Sequence, residues 1–200
     1  YFLFASSLLI TYINYEIEIV YLYLIYLLIA VVYTKNLKFI NFIDSIAIST
    51  LFLIRLTIGG IVVNLDITIF LYIFTFFISM FIVYLKKNSI LHKKFIDDNL
   101  FHKKLIDQNN KLNFNYILIM LGIATNLSLI LWSINLTKDF SNYKIIALIA
   151  YNAIFVYIIF RLINNSKKAE LEDFVFGLFK DKVLIGLLVA ILILFIYFYF

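Results

Sequence analysis

The sequence predicts an all-α, polytopic membrane bundle of seven spanning helices forming a single domain over residues 1–200, and three observations predict it. Hydrophobic residues make up 64% of the 200-residue chain and charged residues 14%. With a mean hydropathy of +1.02, that composition leaves more apolar surface than a soluble domain can cover. The apolar residues also fall in runs matched to a bilayer core of about 30 Å, which needs about 20 helical residues at a rise of about 1.5 Å each. Short polar connections separate the runs, and a helix satisfies its own backbone groups where no water can.

The runs are taken in order as spans at 1–13, 19–33, 42–63, 67–85, 114–134, 143–163 and 183–200. The first opens at Tyr1 rather than Met, with neither a basic leader nor a small-residue cleavage site. It does not read as a signal peptide, and further N-terminal sequence is expected before it. Among the connections only 86–113 is long. It holds a tandem duplication, LHKKFIDDNL at 91–100 followed by FHKKLIDQNN at 101–110. Ten residues turn a helix by about 1000°, which puts the copies on different faces and argues against a stacked repeat.

Orientation follows from the basic residues. The connections 34–41, 86–113 and 164–182 together hold thirteen Lys, whereas those at 14–18, 64–66 and 135–142 hold only Lys138. Basic connections stay in the cytoplasm, so the long 86–113 loop is expected there, in a multi-pass protein of a prokaryotic plasma membrane. The net charge of +5 is then a topology signal and calls for no nucleic-acid partner. Cysteine is absent, which excludes disulfides, thiolate metal sites and cysteine nucleophiles.

Charges inside a span cost roughly 2.5–3.5 kcal/mol near its centre, so each needs a partner or a purpose. Arg55 lies thirteen residues into the third span, and Asp44 lies eleven residues before it. Eleven residues is nearly three turns, so both project from one face and imply a polar cavity. They are about 16 Å apart along the axis, too far to pair directly. Arg55 paired structurally with a helix carbonyl or a distant carboxylate is the plainer alternative. Gly59 and Gly60 nearby suit close helix packing.

Tyr33, Lys38 and Asp44 gather where the second and third spans meet the cytoplasmic surface, and Lys86, Lys87 and Arg161 come from helix ends at the same level. Together they suggest one mouth, although Lys86 and Lys87 taken alone read as ends that snorkel to the headgroups. Asp97, Asp98 and Asp107 could hold Mg²⁺ together with substrate phosphates, or could simply balance the surrounding lysines. His92 and His102 each precede an Asp by five residues, which is not one-face ligand spacing.

Tyr33, Leu37-Lys38, Asp44, Arg55 and Gly59-Gly60 at this spacing resemble the UbiA superfamily of intramembrane transferases, closest to the branch of decaprenyl-phosphate phosphoribosyltransferase. Phe76 to Lys87, His102-Lys103, Phe160-Arg161, Glu172-Asp173 and Asp181-Lys182 resemble later family segments in the same order. The resemblance implies nine helices, of which these seven would be the last, with two helices and an aspartate-rich motif lying before Tyr1. It also implies Mg²⁺ as cofactor, a polyprenyl or prenyl lipid and a diphosphate-bearing donor as partners, and phosphoribosyl transfer to a polyprenyl phosphate.

In that scheme Lys38, Asp44 and Arg55 form the catalytic group, and Tyr33, Lys38, Lys86, Lys87, Arg161 and Lys182 bind substrate, with Asp97 and Asp98 as metal ligands. The chain departs from the pattern at Ile90, where the family has a Glu, and at Phe174, where it has a Pro. Prenyl transfer to an aromatic acceptor and a non-catalytic protein that binds a lipid phosphate are the alternatives, and a transporter ranks behind both.

Overall fold

The computed structural model describes residues 17–92, 114–136, 142–168, 170–171 and 173–199. Within them every regular element is a helix. In chain order these are α1 (Ile17–Lys35), a short 3₁₀ turn (Leu37–Phe39), α2 (Asn41–Val63), α3 (Ile69–His92), α4 (Phe114–Leu136), α5 (Asn142–Lys167), α6 (Phe174–Lys180) and α7 (Lys182–Tyr199).

Five of these, α1 to α5, are long and apolar enough to cross a membrane, and the apolar part of α7, Lys182–Ile196, is shorter. They coincide with the runs expected from 19–33 onward. The expected first span at 1–13 lies outside the described residues, as do Asp97, Asp98, Asp107 and His102 in the duplicated segment.

Two expected boundaries are corrected. α3 continues to His92 rather than stopping at 85, so the first seven residues of the expected 86–113 loop are helical. The reason is packing: Leu85, Lys87, Asn88, Ser89 and Ile90 are buried against neighbouring helices. Similarly, the 164–182 connection contains the last turn of α5 and the whole of α6.

α3 is the central element, packed against α2, α4 and α5. The core gathers around its C-terminal half, where Met80, Phe81, Tyr84 and Leu85 meet Phe114 and Leu118 of α4 and Ile158, Ile159, Leu162 and Ile163 of α5. Leu171 and Leu184 close this core from beyond α5. Gly122 lets α4 approach α5 closely, since a Cβ there would lie 2.8 Å from Ile159 Cγ2. In the N-terminal half of α3, Phe74 stacks on Trp132, which stacks in turn on Phe195 of α7.

α1 is apolar around its whole circumference and buries only Ile19, leaving Tyr21, Leu24, Ile25, Leu28 and Val31 outward, as suits a helix whose solvent is lipid. Its Glu18 and Lys35 sit at the ends that favour their charges. α2 ends at Asn64, whose left-handed backbone (φ 54°) turns its N–H onto the carbonyls of Gly60 and Ile61. Hydroxyls within the spans are satisfied locally. Ser49, Thr50, Thr57, Thr75 and Thr125 each donate to a carbonyl four residues back, so they need no partner helix.

Candidate functional site at the charged end of the bundle

The start of α2 and the ends of α3 and α5 lie at one end of the bundle. Asp44 stands in the first turn of α2, where the helix dipole favours a carboxylate. Its Oδ2 is 2.8 Å from Lys87 Nζ, and both side chains are less than a tenth exposed. Lys87 also donates to Ser45 Oγ at 3.3 Å and lies 5.3 Å from the centre of the Tyr84 ring. The other carboxylate oxygen, Oδ1, is buried with no hydrogen-bond partner among the described residues. Lys38 adds its positive charge to the field at Asp44, and Tyr33 lies within range of that carboxylate.

This arrangement corrects the snorkelling reading of Lys87. The side chain turns inward to the carboxylate, because an ion pair with further hydrogen bonds offsets the desolvation of both groups. Lys86, the preceding residue on the helix, is exposed.

On the other side of α3, Asn88 Nδ2 donates to Ser166 Oγ at 2.9 Å, and the backbone N–H of Leu171 donates to Ser89 Oγ at 3.0 Å. Beyond them, Arg161 grips Asp181 with two parallel bonds, Nε to Oδ2 at 2.6 Å and Nη2 to Oδ1 at 2.8 Å. Asn165 Nδ2 donates to the same carboxylate at 2.9 Å, and Asp181 Oδ1 accepts from the N–H of Val183 at 3.1 Å and of Leu184 at 3.3 Å, capping α7. These bonds hold the Asp181 carboxyl well below the usual carboxylate range, the Arg161 guanidinium contributing most.

The polar residues expected at one mouth therefore form two groups. Tyr33, Lys38, Asp44 and Lys87 belong to the α2–α3 group. Arg161 belongs to the α5–α7 group, where Lys182 lines an open cavity of about 440 Å³ beside it. Asn88 and Ser166 link the two.

Arg55 lies apart from both. It is exposed on α2, hydrogen-bonded to the hydroxyl of Tyr26 on α1, with its guanidinium carbon 5.1 Å from the Tyr26 ring centre and 5.6 Å from that of Phe52. Asp44 and Arg55 thus have separate partners, but they do not share one environment: Asp44 is buried and Arg55 is outward. The cavity of about 440 Å³ and a smaller one of about 140 Å³ both lie against Arg161.

No group of three or more His, Cys, Asp or Glu side chains comes together among the described residues, and Asp44 is engaged by Lys87. The proposed ligands Asp97 and Asp98 lie outside the described residues.

Sequence reasoning missed Ser45, Asn88, Asn165 and Ser166. The signal for three of them was present as polar runs, Lys86 to Ser89 and Asn164 to Ser166, closing otherwise apolar helices.

Five long apolar helices joined at a charged end define a multi-pass integral membrane protein. Neither the comparison with protein-family models nor that with curated proteins finds a match for the chain.

Proposed function

We propose that the chain is an intramembrane transferase of the UbiA type, moving a phosphoribosyl group from a diphosphate donor onto a polyprenyl phosphate. The observation that carries this reading is the buried Asp44–Lys87 pair beside Lys38 and Tyr33. Charged groups retained inside an apolar bundle mark functional sites in membranes, and these are the residues on which the family resemblance rests.

In this reading Lys38 and the exposed Lys86 receive phosphate charge, while Lys87 fixes the Asp44 carboxylate and so the entry of α2. Arg55, bonded to Tyr26 on the outer side of α2, would meet only substrate that approaches along that side, and Tyr33 supplies a hydroxyl at the mouth. The bond between the anomeric carbon and the diphosphate oxygen breaks with its electron pair leaving on diphosphate, and a lipid phosphate oxygen forms the new bond. Positive side chains stabilise the charge that develops on the leaving group.

The Mg²⁺ implied by the resemblance belongs to the same proposal, with Asp97 and Asp98 as its ligands. So do seven spans in this chain, cytoplasmic placement of the charged end, and the plasma membrane as location.

The test is transfer of radiolabel in membranes from cells expressing the full protein. Label moving from phosphoribosyl diphosphate to polyprenyl phosphate, and lost in Lys38→Gln, supports the proposal. A labelled prenyl group moving instead to an aromatic acid replaces it with the alternative chemistry. Binding of polyprenyl phosphate without any transfer overturns the enzyme reading.

A further inference from the structure

We propose that the corner formed by α5, α6 and α7 binds the headgroup of an anionic bilayer phospholipid, with an acyl chain seated between α4 and α5. The inference rests on the membrane character of the protein and not on the transfer reaction.

Three adjoining hollows carry it. The outermost is the cavity of about 440 Å³, where Arg161, Lys168, Lys180 and Lys182 outnumber Glu170 and Asp181. Arg161 is occupied by Asp181, so the three lysines are the groups that face an incoming phosphate. A second hollow of about 140 Å³ shares Arg161, Asn165 and Lys168 with the first and adds Tyr157 and Phe160. A third, of about 270 Å³, shares Phe160 and runs past Ile123, Leu127 and Val156 between α4 and α5. Moving inward along α5, the lining changes from cationic, through a stretch where Tyr157 and Phe160 join Arg161, Lys168 and two asparagines, to aliphatic. Phosphate, glycerol ester and acyl chain follow in the same order in a phospholipid.

Two further observations favour a lipid over a soluble anion. α6 is too short to cross a membrane, yet Phe176 is 79% and Phe179 70% exposed. A short apolar helix with aromatic side chains outward and a lysine at its end suits the headgroup boundary, where aromatic rings and lysine ends gather. The groove between α4 and α5 is lined by apolar residues apart from Asn126, a surface that a soluble anion cannot use. A free phosphate would engage only the outer cavity and leave the groove and the α6 aromatics unused.

The experiment is native mass spectrometry of the full protein released from mixed bilayers of phosphatidylglycerol and phosphatidylcholine. Wild type is expected to retain phosphatidylglycerol preferentially. The Lys168→Gln/Lys180→Gln/Lys182→Gln variant should lose about tenfold of that preference, since each basic residue near the surface contributes measurably to anionic lipid binding. Lys35→Gln, an exposed lysine at the end of α1, should keep it. Leu127→Trp, which fills the groove without changing charge, should also reduce retention, and it serves if the triple variant fails to fold. Equal retention of the two lipids by wild type, an unchanged preference in both the triple and groove variants, or displacement of phosphatidylglycerol by inorganic phosphate at matched ionic strength overturns the proposal.

Discussion

Lys87 and Asp44 join the end of α3 to the start of α2 through an ion pair of 2.8 Å with both side chains almost wholly buried. Removing one member strands the other charge, which costs about 3–5 kcal/mol for buried pairs generally, whereas replacing both by apolar groups of similar volume can be neutral. Lys87→Met is therefore expected to lower stability by about that amount, and Asp44→Leu/Lys87→Met to recover most of it. Thermal denaturation in detergent compares the variants. A double variant no more stable than Lys87→Met would show that the pair is not the interaction responsible.

The Arg161–Asp181 pair predicts a pH dependence. Asp181 titrates below the ordinary carboxylate range in the folded protein, chiefly because Arg161 bonds to it. A depressed folded value means the stabilisation is fully present above the unfolded carboxylate value of about 4 and is lost as pH falls from there toward the folded value. The melting temperatures of wild type and Asp181→Asn should differ most at neutral pH and converge under strong acid. A gap that stays constant from pH 7 down to pH 2 would exclude this linkage.

Asn88 and Ser166 are both buried and hydrogen-bonded at 2.9 Å. Asn88→Ala removes the bond that the Ser166 hydroxyl accepts, while its donated bond to the Ile163 carbonyl remains, and should destabilise by about 1 kcal/mol. Because the two side chains touch, the effects of Asn88→Ala and Ser166→Ala should not add, with a coupling of about 0.5 kcal/mol or more in a double-mutant cycle. Strict additivity would argue that the bond does not link the α2–α3 and α5–α7 groups.

Gly177 has no room for a side chain. A Cβ there would collide with the backbone oxygen of Glu170 and lie 2.8 Å from Leu171 Cδ2. Gly177→Ala is expected to push α6 off the end of α5, at about 1–3 kcal/mol as for other overpacked sites. Hydrogen exchange should accelerate across 170–180 and remain unchanged in α2. Uniform acceleration throughout would indicate global destabilisation instead.

The spans were legible because each is a long apolar run, and a bilayer leaves the backbone little choice but a helix. The end of α3 was not. Lys86 and Lys87 introduce the duplicated, lysine-rich segment, so composition suggested a loop, whereas burial of Asn88 and Ser89 carries the helix to His92. Sequence placed Asp44 and Lys87 at one level, but their pairing depends on how α2 packs on α3, and local spacing carries no record of that. Asp181 and Lys182 are adjacent in sequence and share one resemblance to a family segment. Only the fold reveals that the first locks Arg161 and caps α7 while the second lines the cavity.

The placement of the polar contacts has a mechanical consequence. Most hydroxyls within the spans are tied to their own helices, and the ion pairs and many of the directional bonds between helices crowd at the end where α2 begins and α3 and α5 finish. Toward the opposite end, apart from the bonds between Arg55 and Tyr26 and between Thr57 and Tyr72, the described helices meet largely through stacked rings such as Phe74, Trp132 and Phe195. Directional bonds resist sliding, while ring and methyl contacts exchange neighbours at little expense. The bundle is accordingly stiff at one face of the membrane and compliant at the other, so that a lateral pull would splay it like the legs of a tripod whose joint is riveted.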